Sequence, residues 1–321
     1  LNAAEALGEI GSEAKPAILP LIQLLEDQDP YVRLSAAKAL AEIGPEAVPA
    51  LIQLLNDENS LVRQNAAFAL SEIGPEAKQE MVKTLSQMGS QAIPDLIQLL
   101  EDQNQNVRVT TTNVLAEMGP EAKPAIPTLI QLLKSKNNSV RSNVAKILGK
   151  IGPEAKEAVP MLTQALEDES WFVQNSAEVA LSQMGSQAIP ALSQLLEDQN
   201  QNQNVRFNAV KALGTIGTEA VPALIQTLKD ESGVVRSQAA KSLREIGAEA
   251  VPALIQALKD ESGAVRLNAA KALGTIGTEA KPAVPALIQL LEDQDSTVRS
   301  NADKSLRGIG PATVDQVPAL I

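Results

Sequence analysis

The side chains in this chain that could do chemistry are carboxylates, lysines, serines and threonines, with few others. None of the 321 residues is cysteine or histidine, which removes disulfides, thiolate metal sites and the usual nucleophile and general-base pairs. The carboxylates cluster in short acidic turns, such as EDQD at 26–29, EDES at 167–170 and KDES at 259–262. Paired carboxylates can share acid–base work or hold calcium. A catalytic pair, however, is normally singular and desolvated, and these recur turn after turn. A calcium loop would also need a further glycine and a distant bidentate glutamate, which are missing here. The expectation is a structural use of the carboxylates, with no catalytic residue, cofactor or metal.

The turns recur because the whole chain recurs. LKDESGAVRLNAAKALGTIGTEA (258–280) repeats LKDESGVVRSQAAKSLREIGAEA (228–250) thirty positions on. Aligned on a Val-Arg pair, the anchors are Val32, Val62, Val107, Val140, Val173, Val205, Val235, Val265 and Val298. Long units carry three extra residues in EAKPAIPTL, EAKEAVPML or EAKPAVPAL where short ones have EAVPAL. Each unit reads as two helices, a first such as VPALIQALK and a second such as VRLNAAKALGTI. In the second, Val265, Ala269, Ala272, Leu273 and Ile276 fall on one apolar arc of about 100°. The nine residues three before the anchors (Asp29, Asn59, Asn104, Asn137, Ser170, Asn202, Ser232, Ser262 and Asp295) are expected N-caps. A glycine in the left-handed conformation should close each second helix, and a proline such as Pro222 or Pro252 should open the next.

Asp and Arg bracket each turn: Asp27 with Arg33, Asp57 with Arg63, Asp102 with Arg108, Asp230 with Arg236, Asp260 with Arg266 and Asp293 with Arg299. Each Arg flanks the apolar arc and can reach an Asp of its own or the neighbouring turn, so a ladder along the stack is expected. It should fail where Ser135 replaces the Asp and where Gln174 replaces the Arg.

The pattern LxDxxxxVRxxAAxALxxIGxEAxPAL resembles HEAT repeats, and specifically the short HEAT-like repeats of the phycobilisome-lyase (PBS lyase) type. The resemblance covers essentially the whole chain. It implies an all-α fold, an α-solenoid of stacked helix pairs with first helices on the convex side, second helices on the concave side and an Asp-Arg ladder between them. Nine complete pairs are expected in one array over 1–321, with partial units at both ends, as in a piece of a longer protein. The family name also implies a rival function, a bilin lyase or lyase subunit acting on phycobiliproteins. No residue of the pattern carries that activity. A third reading is a sensor or partner-binding segment of a larger regulator.

Net charge is −12, a field that repels nucleic acid and anionic membranes. The recurrent GTIG (214–217 and 274–277) has the form of a GXXG nucleic-acid clamp. Here its first glycine falls inside a helix and its second at the helix end, so helix closure is the better reading. No apolar run approaches the ~20 residues of a membrane span, and no signal peptide is visible at 1–11. No nucleic acid and no membrane are therefore expected, and a cytoplasmic location is. Oligomeric state is not indicated.

Partner binding is expected on the solvent arc of the second helices. Six places after the anchor stand Lys38, Phe68, Asn113, Lys146, Val179, Lys211, Lys241, Lys271 and Lys304, beside Leu34, Val109, Phe207 and Leu267. Arg244 and Arg307 add to the charge. This reads as a moderately basic, apolar-dotted groove for another protein or peptide segment. Irregularities gather mid-chain, where Trp171, Phe172 and Phe207 hold three of the five aromatic residues. The expected contact set is Trp171, Phe172, Phe207, Lys211, Lys241, Arg244 and Lys271. Finally, the spacing of 45 between Val62 and Val107 carries an extra half unit at about 76–90. If it adds one helix and only a four-residue connector to a chain that alternates up and down, it should produce a stacking fault over about 76–95, seen as reversed helix polarity, a swap of the two layers or a melted segment.

Overall fold

The computed structural model describes residues 2–73, 92–198 and 201–310. The described residues are helical with short turns, and the chain divides into two compact units, 1–161 with 170–180, and 162–169 with 181–321. The first unit contains α1 (Asn2–Ile10), α2 (Ile18–Gln23), α3 (Pro30–Ile43), α4 (Val48–Leu54), α5 (Ser60–Glu72), α6 (Ala92–Leu99), α7 (Gln105–Met118), α8 (Ile126–Leu132) and α9 (Asn138–Ile151). Residues of α10 (Val159–Ala165) and α11 (Trp171–Gln183) are shared between the units. The second contains α12 (Ile189–Glu197), α13 (Gln203–Ile216), α14 (Val221–Thr227), α15 (Gly233–Ile246), α16 (Val251–Ala257), α17 (Gly263–Ile276), α18 (Val284–Gln289) and α19 (Ser296–Ile309). From α2 to α19 these form nine pairs, each a short first helix and a longer second one.

The apolar arc builds the core. Val265, Ala269, Ala272 and Leu273 are buried and Ile276 is half-buried, and the first helices contribute Leu21, Leu51, Leu129, Leu224 and Leu254. Small residues let neighbouring second helices approach closely. A Cβ on Gly274 would lie 2.7 Å from the Ser305 Cα, and one on Gly214 would clash with the Ser242 Oγ. The GTIG motif is therefore a packing and closing device. Gly217 and Gly277 end their helices at φ 93° and 79°. Their ψ values, −139° and −136°, lie outside the left-handed helical well expected from sequence, in a region open mainly to glycine.

The three-residue excess of the long units is one turn of 3₁₀-helix, which takes about three residues. Long units pass from second to first helix through Gly11–Ala17, Gly119–Ala125, Gly152–Ala158 and Gly277–Ala283. Short units use Pro45–Ala47, Thr218–Ala220 or Gly247–Ala250.

The extra half unit at about 76–90 lies outside the described residues, but the helices beside it bear on the expected fault. α5 packs directly on α7, and the Arg63 Nε donates to the Asp102 Oδ2 at 2.9 Å. The Arg266 to Asp293 contact takes the same form. Both flanking second helices therefore lie in one layer with one polarity, and no exchange of layers occurs between them. The flanking helices thus show neither reversed polarity nor exchanged layers, and the third form of the expected fault, a melted segment, falls on residues outside those described.

Candidate functional site

The turns are built around the arginines. In most turns Arg Nη1 donates to two backbone carbonyls of the preceding turn: Asp27 and Gln28 from Arg33, Asp57 and Glu58 from Arg63, Asp102 and Gln103 from Arg108. Arg236, Arg266 and Arg299 do the same to Asp230 and Glu231, Asp260 and Glu261, and Asp293 and Gln294. Within a turn the Arg thus holds the Asp backbone, while the Asp carboxylate accepts from the N–H two residues on, as Asp27 does from Asp29 at 2.8 Å.

Rungs between repeats are a second, separate contact. They close at Arg63 to Asp102, Arg206 to Asp230 and Arg266 to Asp293, with Nε to Oδ2 distances of 2.9, 2.9 and 2.7 Å. Among the described residues, no ion pair joins Arg33 to Asp57 or Arg236 to Asp260. Arg206, absent from the expected ladder set, makes the most buried rung. It is 1% exposed and Asp230 4%. Burial lowers the Arg206 pKa, but hydrogen bonds to Asp230 and Glu231 outweigh it and the net direction is upward. The hydrogen bond from Arg266 holds Asp293 below the ordinary carboxylate range. Two lysines of the long-unit insertions act similarly at the surface, Lys15 on Glu46 and Lys123 on Glu154, each at 2.7 Å, lowering both carboxyl groups.

Asp29, Asn59, Asn104, Asn137, Asn202 and Asp295 accept from the N–H two residues on, as N-caps. Ser232 and Ser262 do not cap through their side chains. The Ser232 Oγ turns instead to the Gln203 Oε1 at 3.0 Å.

The expected contact residues fall in both units. Trp171 and Phe172 belong to the first, and Phe207, Lys211, Lys241, Arg244 and Lys271 to the second. Trp171 and Phe172 are 65% and 67% exposed, with ring centroids 5.4 Å apart in an edge-on arrangement. Beneath them the Ser142 Oγ lies 3.4 Å from the Phe172 carbonyl and 2.9 Å from the Ser176 Oγ. In the second unit Phe207 and Lys241 meet in a shallow groove of about 740 Å³ with Val234, Ser237 and Gln238. Arg244 and Lys241 both approach Glu245, at 3.7 and 3.8 Å, which offsets part of their charge.

The sequence reading missed acidic residues on the same arc of the first unit. Glu5, Glu9 and Glu42 surround Tyr31, Leu34 and Lys38 in a pocket of about 380 Å³. An adjoining groove of about 350 Å³ runs past Leu34, Phe68 and Val109. Glu at the tenth place after the anchor, as in Glu42, Glu72 and Glu117, is the signal that would have shown it. On the first-helix side of the second unit, a cleft of about 610 Å³ lies between α12 and α14, lined by Ile189, Leu196, Pro222 and Ala223. Among the described residues there is no cluster of three or more acidic side chains placed to hold a metal, and no helix long and apolar enough to cross a membrane.

No curated protein matches the chain. Among solved structures it is similar to Kap95p in complex with RanGDP, at 18% identity and TM-score 0.54, covering 91% of this chain and 45% of that one. It is also similar to the karyopherin Kap121p bound to the extreme C-terminus of the protein phosphatase Cdc14p, at 16% identity and TM-score 0.55, covering 92% of this chain and 38% of that one. The chain thus spans less than half the length of either karyopherin, and the likeness is one of fold. An engineered protein matches at 26% identity over 97% of this chain and 95% of its own, with a TM-score of 0.48. A PBS lyase HEAT-like repeat model matches residues 1–27. Models for HEAT repeats match in overlapping stretches from 18 to 307. With the paired helices and Arg-clamped turns recurring over the same span, the chain belongs to the HEAT-repeat family and folds as an all-α solenoid of helix pairs.

Proposed function

We propose that the chain is a non-catalytic scaffold that binds another protein through the solvent arc of its second helices. The observation that carries this reading is the exposure of large apolar side chains at one place in the repeat. Tyr31, Leu61, Phe172 and Val234, each just before its anchor, are 71%, 46%, 67% and 55% exposed. Isolated exposed apolar residues are ordinary, but a repeated column of them on a rigid support suits an interface. Trp171 and Phe172 are the strongest anchors, because two large rings are already ordered against each other. The solved karyopherins bound to protein partners give the reading further support. The bilin-lyase alternative rests on a repeat name alone.

A photo-crosslinking residue at position 175, on the exposed side of α11, should capture a protein partner. Replacing Trp171 and Phe172 by Ala should weaken the affinity of that partner about 30-fold, on the scale of interface hot spots. The helical signal and melting temperature should be nearly unchanged. Unaltered affinity in the double variant would refute the assignment, and a large fall in melting temperature would show the rings to be core.

A further inference from the structure

One turn of the first unit is built for a carboxylate it does not have. Two donors, Arg63 Nε and the Asn104 N–H, converge on Asp102, and at the other two of the three rungs described above three donors converge on one Asp. At Asp293 these are Arg266 Nε at 2.7 Å, Arg266 Nη2 at 3.0 Å and the Asp295 N–H at 2.8 Å. At Asp230 they are Arg206 Nε, Arg206 Nη2 and the Ser232 N–H, at 2.9, 3.2 and 2.7 Å. The equivalent position before α9 is Ser135. Its Oγ receives only the Asn137 N–H, at a long 3.3 Å. The Arg108 Nε, which would close the rung, is buried and has no hydrogen-bond partner among the described residues. Arg108 is held in place all the same, because its Nη1 is fixed by the carbonyls of Asp102 and Gln103.

The charge of this turn is also inverted. Corresponding turns read Glu-Asp-Gln at 26–28, 101–103 and 292–294, Asn-Asp-Glu at 56–58 and Lys-Asp-Glu at 229–231 and 259–261. Here Lys134, Ser135 and Lys136 stand instead, with both lysines exposed. A chain of net charge −12 thus gathers Lys134, Lys136 and Arg108 about one position and removes the carboxylate that would neutralise them. A buried guanidinium N–H without an acceptor is costly, and a small anion supplies an acceptor and charge together.

We infer that the turn at 134–137 is an anion site, which takes a monovalent anion of carboxylate size or smaller, such as chloride or formate, in place of the missing rung carboxylate. Arg108 Nε and the Asn137 N–H are its donors, and Lys134 and Lys136 raise the local anion concentration. The anion completes the contact between α7 and α9 that Asp residues complete elsewhere.

The test is the line broadening of the chloride nucleus in NMR on adding the intact chain. Wild type should give excess broadening that saturates with chloride and is reversed by sodium formate. Ser135→Ala, which keeps the gap, should retain it. Ser135→Asp should abolish it by supplying the carboxylate internally, and Arg108→Gln should abolish it by removing the donor, so the result stands even if one variant fails to fold. Absence of saturable broadening in wild type, or equal broadening in wild type, Ser135→Asp and Arg108→Gln, would overturn the proposal in favour of water in the gap.

Discussion

The turn at Asp230 and the turn at Ser135 occupy the same place in the repeat and solve it differently. At the first, an Arg that is 1% exposed meets an Asp that is 4% exposed. At the second, the Asp is gone and Arg108 keeps only its clamp on two carbonyls. Arg108 as a whole is half-buried, although its Nε is sealed. The array can lose a rung where the Arg keeps some access to water, because only part of the guanidinium then goes unsolvated. Losing one where the Arg is enclosed should cost more, because the whole guanidinium is then left without solvent. The clamp is common to both turns, whereas the rung is an addition that some interfaces use.

Asp230→Ala is the strongest way to break this comparison, since it turns the closed rung into an enclosed gap. Removing one partner of a buried pair costs about 3–5 kcal/mol. The lower end is expected, because Glu231 still reaches the Arg206 Nη2 at 3.1 Å. Denaturant unfolding should show the loss, and a cost no greater than that of a surface substitution would mean the rung carries little.

How much of this was legible in the sequence depends on the range of the contact. Helix pairs, the long-unit excess and the closing glycines followed from local spacing, which fixes local backbone. The rungs did not, because whether Arg33 reaches Asp57 as Arg63 reaches Asp102 depends on how two units stack, a quantity no single repeat encodes. Arg206 was overlooked because the doubled Gln-Asn at 201–204 obscures its turn, which has Asn200 in place of an Asp at the ladder position. Thr111 is a similar case. It occupies the core place held by Ala in most repeats, and its hydroxyl is buried without a partner among the described residues, a defect that the string TTT does not announce.

Acid should separate the two kinds of turn, with a smaller effect. Asp293 is held low by Arg266, and Asp295 by the backbone N–H of Thr297. A carboxylate with a lowered folded pKa gives stability that is fully present above its unfolded value, about 3.9, and is lost as the pH falls through the folded pKa. Amide protection factors at Asp295 and Thr297 should therefore fall below about pH 4. Those at Asn137 and Ser139, in a turn without carboxylates, should hold. Equal loss in both turns would mean that acid acts globally and not through the rung.

The smallest expected effect isolates the cap from the rung. Ser262 precedes α17, its Oγ caps nothing, and the residue after it is Gly263. Its backbone N–H is already taken by the Asp260 Oδ1 at 2.8 Å, so only the orphan N–H groups of the first helical turn stand to gain. Asn is the better replacement, because Asn59 and Asn104 show the required geometry in sister turns, at 3.0 and 2.9 Å. Asp would place a further negative charge beside Asp260 and near Asp295, whose Oδ2 lies 3.5 Å from where a Cβ on Gly263 would sit. Ser262→Asn should therefore stabilise by about 0.5 kcal/mol, at the low end of cap energies. The Arg266 to Asp293 rung should remain closed throughout. If thermal unfolding shows no gain, or a gain that disappears with Asp293→Asn, then cap and rung are one coupled element, and the separation drawn between Asp230 and Ser135 would have to be redrawn for the turn as a whole.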